Sequence, residues 1–270
     1  MKKFLVFILI IAIILLIFFL LLQLKRPSNE RDWNSDQNIL SYAEFKDDLV
    51  HVNNIRNFSY TSTTEYTQAY YDKTFDLNKL ESLYYIVEPF GNVGSAHTFV
   101  SFGFEGDEYL AISVEIRKEK GESFSPIKGL LRTYELMYVI ADEKDVIDLR
   151  ANHRKDKVYV YPVDTSKEKM RELFVDMLER ANTLKEEPEF YNTLTNTCTT
   201  NIATHANKIT PEKIPWDIRL LLPENSDKLA YELGLIENSL PLEEIREKYL
   251  INEKAELYAD SPDFSKMIRE

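Results

Sequence analysis

The chain opens on a stretch with no polar break: from Phe4 to Leu22 every position is apolar, with Lys2 and Lys3 before it and Gln23, Lys25 and Arg26 after it. At about 1.5 Å per residue, a helix of that length spans about 30 Å, the thickness of a bilayer's hydrocarbon core. The run is too long and too uniform for an ordinary cleavable signal, and no small-x-small site follows it. It predicts an uncleaved anchor, residues 1–26, that crosses a cell membrane once. Basic residues flank both ends, so charge orients it only weakly, and export of the C-terminal bulk is the reading adopted.

Beyond the anchor the periods shorten. Residues 27–55 are polar and charged, with Pro27, Ser28, Asn29 and Asn34 near the start, and read as a stalk leading into a short helix around Ser41–His51. Tyr60–Tyr71, rich in Thr and Tyr, is expected to be extended, and Asp76–Ser82 to make a short helical turn. The two glycines that open GNVGSAHTFVSFGF, residues 91–104, mark a tight approach, after which the pattern alternates in strand fashion from His97. Glu108–Arg117 is a second strand, joined to the first through Gly106–Asp107 as a hairpin. Period-two alternation puts Leu110, Ile112, Val114 and Ile116 on one face and Ser113, Glu115 and Arg117 on the other. A polar stripe thus lies beside the strand that carries His97.

Leu136–Ala141 and Val158–Val163 are further strands. Thr165 to Glu168 fits a capping box opening a helix whose apolar residues Met170, Leu173, Phe174, Met177, Leu178, Ala181 and Leu184 recur at helical spacing. That stripe is core, and Pro188 stops it. A polar run rich in Asn and Thr then leads to Cys198 and a helix over Thr199–Asn207. Ile214–Pro223, an apolar patch between prolines, is read as core packing, with a lid or lipid-contacting edge as the second reading. Asp227–Leu235 and Leu242–Tyr249 read as helices, the latter with Pro241 at its start, and Ser261–Glu270 as a polar tail.

Composition narrows the function classes. A chain of 270 residues has room for an anchor and one medium-sized domain. Its formal net charge of -12 argues against nucleic-acid binding and against a polybasic lipid-surface patch, and is read as a solubility feature. A single cysteine, Cys198, excludes an internal disulfide framework. No CxxC, HExxH, Walker sequence, GxGxxG or GxSxG occurs, so neither a metal, a nucleotide cofactor nor a serine elbow is expected.

Cys198 stands where a polar loop meets a helix. Unpaired N–H groups and the positive end of the macrodipole favour the thiolate there, and the thiolate is the nucleophile. A lone cysteine is more often a small buried hydrophobe, so a partner base decides between the two. His51 falls in the expected stalk helix and His153 in the charged loop ANHRKDK, both of which look solvated. His205 follows Cys198 by seven residues, about 10 Å along one helix and out of direct reach. His97, beside the polar stripe, is the candidate base, the alternative being a satisfied strand histidine.

At SAHTFVSFGF, YLAISVEIRKEKGESFSPIKGL, YELMYVIADEKDVIDLR, YNTLTNTCTTNI, LAYELGLI and PDFSKMIR, in that order, the chain resembles the bacterial Lnb-type periplasmic domain over nearly everything after about residue 55. The resemblance implies an α+β fold with a circularly permuted papain-like core, an antiparallel sheet packed on helices, over residues 56–212, followed by a helical extension over 213–270. In that permutation the histidine strand precedes the cysteine helix, as His97 precedes Cys198. The implied activity is a cysteine acyltransferase or hydrolase, with Cys198 as nucleophile, His97 as general base, and Glu115 as the orienting third member, Ser113 being its substitute. Arg117 and Asn196 would touch substrate, although the commonest family motif has Asn directly before the cysteine and here Thr197 intervenes. Implied partners are a phospholipid acyl donor and a diacylglyceryl lipoprotein acceptor, with the soluble part outside the cytoplasm. Two other classes stay open: a cell-wall peptidase or amidase on the same dyad, and a non-catalytic tethered interaction module.

Overall fold

Period-two alternation builds the centre of the molecule. The computed structural model describes residues 2–91 and 94–270, with Lys2 and Leu15 by backbone alone. Asn92 and Val93, between the two glycines expected to mark a tight approach, lie outside the described residues. The strands are β1 (Tyr42–Lys46), β2 (Leu49–Arg56), β3 (Ser59–Tyr60), β4 (Tyr66–Thr67), β5 (Tyr70–Asp76), β6 (Leu80–Pro89), β7 (Ala96–Phe104), β8 (Glu108–Arg117), β9 (Glu135–Asp142) and β10 (Tyr159–Pro162). The helices are α1 (Lys2–Leu24), α2 (Pro126–Leu130), α3 (Glu143–Asp148), α4 (Lys167–Glu186), α5 (Cys198–Ile209), α6 (Ser226–Glu232), α7 (Leu242–Tyr249), α8 (Asn252–Leu257) and α9 (Phe264–Met267).

The fold is α+β, with a large and mostly antiparallel sheet in the order β1-β2-β9-β8-β7-β6-β10, β5 pairing with β2. Its one parallel contact among the described residues is the bridge from Arg56 to Ala141. β7 and β8 form the expected hairpin, turned by Gly106 at φ 91° and Asp107 at φ 60°, left-handed positions that suit these two residue types. Alternation then sorts the sheet into two cores. Val100, Phe102, Leu110, Ile112 and Val114 face α4 and α5, while Phe99, Ala111, Met137 and Val139 lie under α3 and the C-terminal helices. All seven residues of the α4 stripe are buried, as the spacing predicts. Phe174, fully buried, is edge-on to Phe75, Phe102 and Phe104.

α1 is long and apolar enough to cross a membrane and is unburied by the rest of the chain, a property that signal sequences and anchors share. Several local expectations are corrected. Ser41–His51 is not helical but lies mostly in the β1–β2 hairpin, where Ala43, Val50 and Val52 alternate into the core. The segment read as a stalk packs on the sheet: Trp33 is buried beneath the Arg117 guanidinium, 4.3 Å from its ring. The α4 cap is Ser166, whose hydroxyl accepts from Lys169 N, one place after the expected box. Ile214–Pro223 is not core throughout: Ile214 and Leu220 turn in, but Trp216 is 76% exposed, with Ile218 and Leu222 also outside. The polar tail is docked through Phe264 and Ile268, both buried.

Phe174→Ala removes the ring on which three aromatic side chains converge. Loss of about 3–5 kcal/mol is expected, read as a lower urea midpoint with an unchanged slope.

Candidate functional site

Three ladders meet near the start of β7, and one of them stops short. β6 pairs with β7 as far as Pro89–Ala96, and β8 with β9 as far as Arg117–Glu135, but the β7–β8 ladder ends at Phe99–Ser113. Beyond that pair the strands part, leaving a split between His97–Thr98 and Val114–Glu115. α5 seats its first residue at this split. The Thr98 N–H lies near enough to the Cys198 sulfur to favour its ionised form, and the Thr98 and Thr199 hydroxyls are hydrogen-bonded at 2.9 Å in buried surroundings.

The helix begins where it does because Thr197 caps it. Thr197 Oγ1 accepts from Thr200 N while the Thr197 N–H donates to Thr200 Oγ1, a reciprocal box made of two threonines. Farther along, His205 is buried and bonded to Asp176 of α4 at 2.5 Å and to Tyr138 of β9 at 2.7 Å. It fixes α5 from behind and, as its spacing predicts, takes no part at the thiol.

His97 stacks on Phe99 with ring centroids 5.8 Å apart. The Ser113 hydroxyl donates to Glu115 Oε1 at 2.9 Å, so it accepts from His97 Nε2–H at 2.7 Å; the same nitrogen stands 3.1 Å from Glu115 Oε1. This leaves Nδ1 toward Cys198, and the imidazole and the thiol lie close enough for each to shift the other's ionisation. Glu115 Oε1 also accepts from Arg150 at 2.9 Å, and Arg150 Nε donates to Glu88 Oε2 at 2.6 Å. The chain of contacts therefore runs from Cys198 through His97 and Ser113 to Glu115, Arg150 and Glu88.

Burial opposes charge on each of the first members, and the neighbours override it. Burial pushes the Cys198 thiol up, but the His97 charge, its hydrogen bond and the Thr98 N–H bring it down to about 7. Burial pushes His97 down, whereas Glu115 and then Cys198 push it up to about 10. Glu115, which burial alone would push up, is held well below the usual carboxylate range by His97 and Arg150. Between about pH 7 and about pH 10 the pair is a thiolate facing an imidazolium.

Cys198, His97, Ser113 and Glu115 are thus brought together, and the thiol is only partly buried. Arg117 points the same way from β8 but is spent on Gln37 O, Asn38 O and Asn29 Oδ1, which tie the segment after α1 to the sheet. Asn196 accepts from Asn201 Nδ2 at 2.8 Å and donates to Phe190 O, so its amide shapes the loop before the cap. His51 bonds Thr74 of β5, and His153, following α3, bonds Asp148. Sequence reasoning missed Arg150 and Glu88. Glu88 is a lone carboxylate in the apolar run YYIVEPF, and a fully buried carboxylate requires a cation.

The rim has two sides. Gly129 of α2 packs so closely on Tyr191 and Thr193 that an added Cβ would lie 2.3 Å from Thr193 Oγ1. Opposite, Gly94 lies against Leu222, and its N–H donates to the Glu224 carboxylate, latching the loop before His97 to residues 222–224.

A family model described as the Lnb N-terminal periplasmic domain matches residues 66–224, more than half of the chain and inclusive of the split, its thiol and its histidine. No curated protein and no solved structure matches the chain.

In His97→Ala, the thiol keeps its burial and loses the charge that lowers it, so its pKa rises above the ordinary thiol value. Iodoacetamide alkylation of wild type is expected to reach half-maximum near pH 7, and at about pH 8 the variant reacts at least about tenfold more slowly. Equal pH profiles would show that the imidazole does not hold the thiolate.

Proposed function

The chain belongs to the Lnb N-terminal periplasmic domain family, and on that premise we propose that it is a membrane-anchored cysteine acyltransferase, moving a fatty acyl chain from phospholipid to an amine at the N-terminus of a diacylglyceryl lipoprotein. The observation that carries the reading is the electrostatically coupled Cys198–His97 pair, with His97 backed by Ser113 and Glu115 at a split in the sheet. A merely structural thiol has no need of a neighbour that lowers its pKa to about 7. The core is read as circularly permuted papain-like, supported by the histidine strand preceding the cysteine helix and by antiparallel β6–β9 packed on α4 and α5. Residues 56–212 are taken as the catalytic unit, 1–26 as the anchor and 213–270 as the extension.

In the first half-reaction the Cys198 thiolate attacks the ester carbonyl of the donor. The Cys198 and Thr199 N–H groups, at the start of α5 and without acceptors among the described residues, face the charge that develops on the carbonyl oxygen. As the C–O bond breaks, the imidazolium of His97 gives its Nδ1 proton to the departing lysophospholipid oxygen, leaving an acyl-thioester. In the second half, neutral His97 takes a proton from the incoming amine as nitrogen attacks the thioester. The C–S bond breaks, and thiolate and imidazolium are restored. Glu115, kept ionised, stabilises the imidazolium in the resting state and holds Nε2 through Ser113. The anchor suits lipid substrates because it confines enzyme, donor and acceptor to one surface.

Full-length protein in vesicles of labelled phospholipid is expected to carry a hydroxylamine-sensitive acyl adduct on Cys198, absent in Cys198→Ala and reduced at least about a hundredfold in His97→Ala. Cleavage of peptidoglycan fragments without any such adduct would sink the transfer reading in favour of an amidase. Turnover should follow a bell bounded by about pH 7 and about pH 10, the limits of the ion pair.

A further inference from the structure

A cavity with a mostly apolar lining lies beside the site and is used by none of the chemistry above. Of about 160 Å³, it runs along α5 between α4, α6 and the sheet. Its α5 wall is Ile202, Ala203, Ala206 and Ile209, one face of the helix, which carries it about 12 Å from Ile202 to Thr210. Ile202 is four residues, about one turn, beyond Cys198 on the same face. At this near end stands Tyr85, whose phenol bears on the Cys198 thiol as well as lining the cavity.

The lining chooses the occupant. Tyr85 OH donates to Ser226 Oγ at 2.8 Å and Ser226 Oγ donates to Pro223 O at 2.7 Å, so the polar pair at the near end asks nothing of a guest. None of the buried polar atoms left without a partner among the described residues belongs to the lining. Such a lining favours hydrocarbon over polar guests; about 150 Å³ is enough for a benzene-sized guest. At its far end the space reaches Asp164, Thr165 and the Lys169–Thr210 contact at 3.5 Å, where the surface begins.

We propose that this cavity is the acyl-chain site: the alkyl chain carried on Cys198 lies along the Ile202–Ile209 face of α5, its carboxyl end at the thiol and its methyl end toward Lys169 and Thr210. The inference rests on the acyl-transfer reading for the chain's attachment to sulfur, while the cavity's preference for an alkyl chain stands on its lining alone. The length of the cavity limits the chain. Narrowing the middle of the α5 wall shortens the chain preferred, and opening its far end lengthens it.

Two measurements separate the two ideas. The first is binding of the fluorescent fatty acid parinaric acid to full-length Cys198→Ala in detergent, which involves no chemistry. Binding is expected there and is expected to weaken at least tenfold when Ala206→Phe is added. Ala206→Val, a smaller filling, is expected to give an intermediate loss and serves if the larger ring does not fold. The second is mass spectrometry of the Cys198 adduct formed from an equimolar mixture of short-, medium- and long-chain phosphatidylethanolamines. Ala206→Phe and Ala206→Val shift the adduct toward shorter chains and Ile209→Ala toward longer ones. If wild type forms adducts but no variant alters either binding or chain distribution, the cavity is not the acyl site. If parinaric acid binds and is displaced by filling while no adduct forms from any donor, the cavity inference stands and the transfer reading falls.

Discussion

A guanidinium cut off from water sets the polar geometry of this fold. Arg150 has a side chain only 4% exposed, and it is divided among Glu88 on β6, Glu115 on β8 and the Val146 carbonyl of α3. Its planar fork lies 5.0 Å over Phe99 of β7, so three adjacent strands and one helix are gauged against a single rigid group. Such an arrangement is unforgiving at its centre, because taking away Arg150 deprives two carboxylates of their shared and most buried cation, at a cost of several kcal/mol. Glu115 is held ionised by this arrangement, and His97 is held in orientation by Glu115 and Ser113. The chemistry attributed to the sulfur therefore starts behind the histidine and its carboxylate, at Arg150.

The second requirement is that α5 arrive at the split with its first turn open. Two independent sets of contacts do this from opposite ends. The Thr197–Thr200 box and the Thr98–Thr199 hydroxyl pair locate the N-terminus, and the Asp176–His205–Tyr138 contacts locate the body against α4 and β9. With both in force the sulfur has little freedom, yet the N–H groups around it remain unspent. A helix start exposes backbone donors without breaking any hydrogen-bonded ladder. Here it coincides with a place where a sheet has given up its own pairing.

Much of this was legible from residue order. The β7–β8 hairpin, the apolar stripe of α4 and the helix after Cys198 follow from period and punctuation, and the joint presence of His97, Ser113 and Glu115 follows from alternation across one hairpin. β6 was not legible: LESLYYIVEP is buried on both faces as a central strand, so its apolar run carries no alternation. The β1–β2 hairpin was misread because YAEFKDDLVHV mixes charges with apolar residues at spacings that a helix also permits, and its outer face is solvated. Arg150 escaped for a different reason. Its role depends on two carboxylates from other strands, and only the sheet order brings Glu88 and Glu115 within reach of one side chain.

The short turn between β7 and β8 bears on how such a protein can drift over generations. Because successive side chains in a strand point to opposite sides, gaining or losing one residue within Glu105–Asp107 would slip β8 by one place against β7. With a residue gained, Val114 would occupy the berth of Glu115, and the carboxylate would turn into the face where Val114 and Ile116 pack. The turn is pinned in length by chemistry taking place at the other end of the strands.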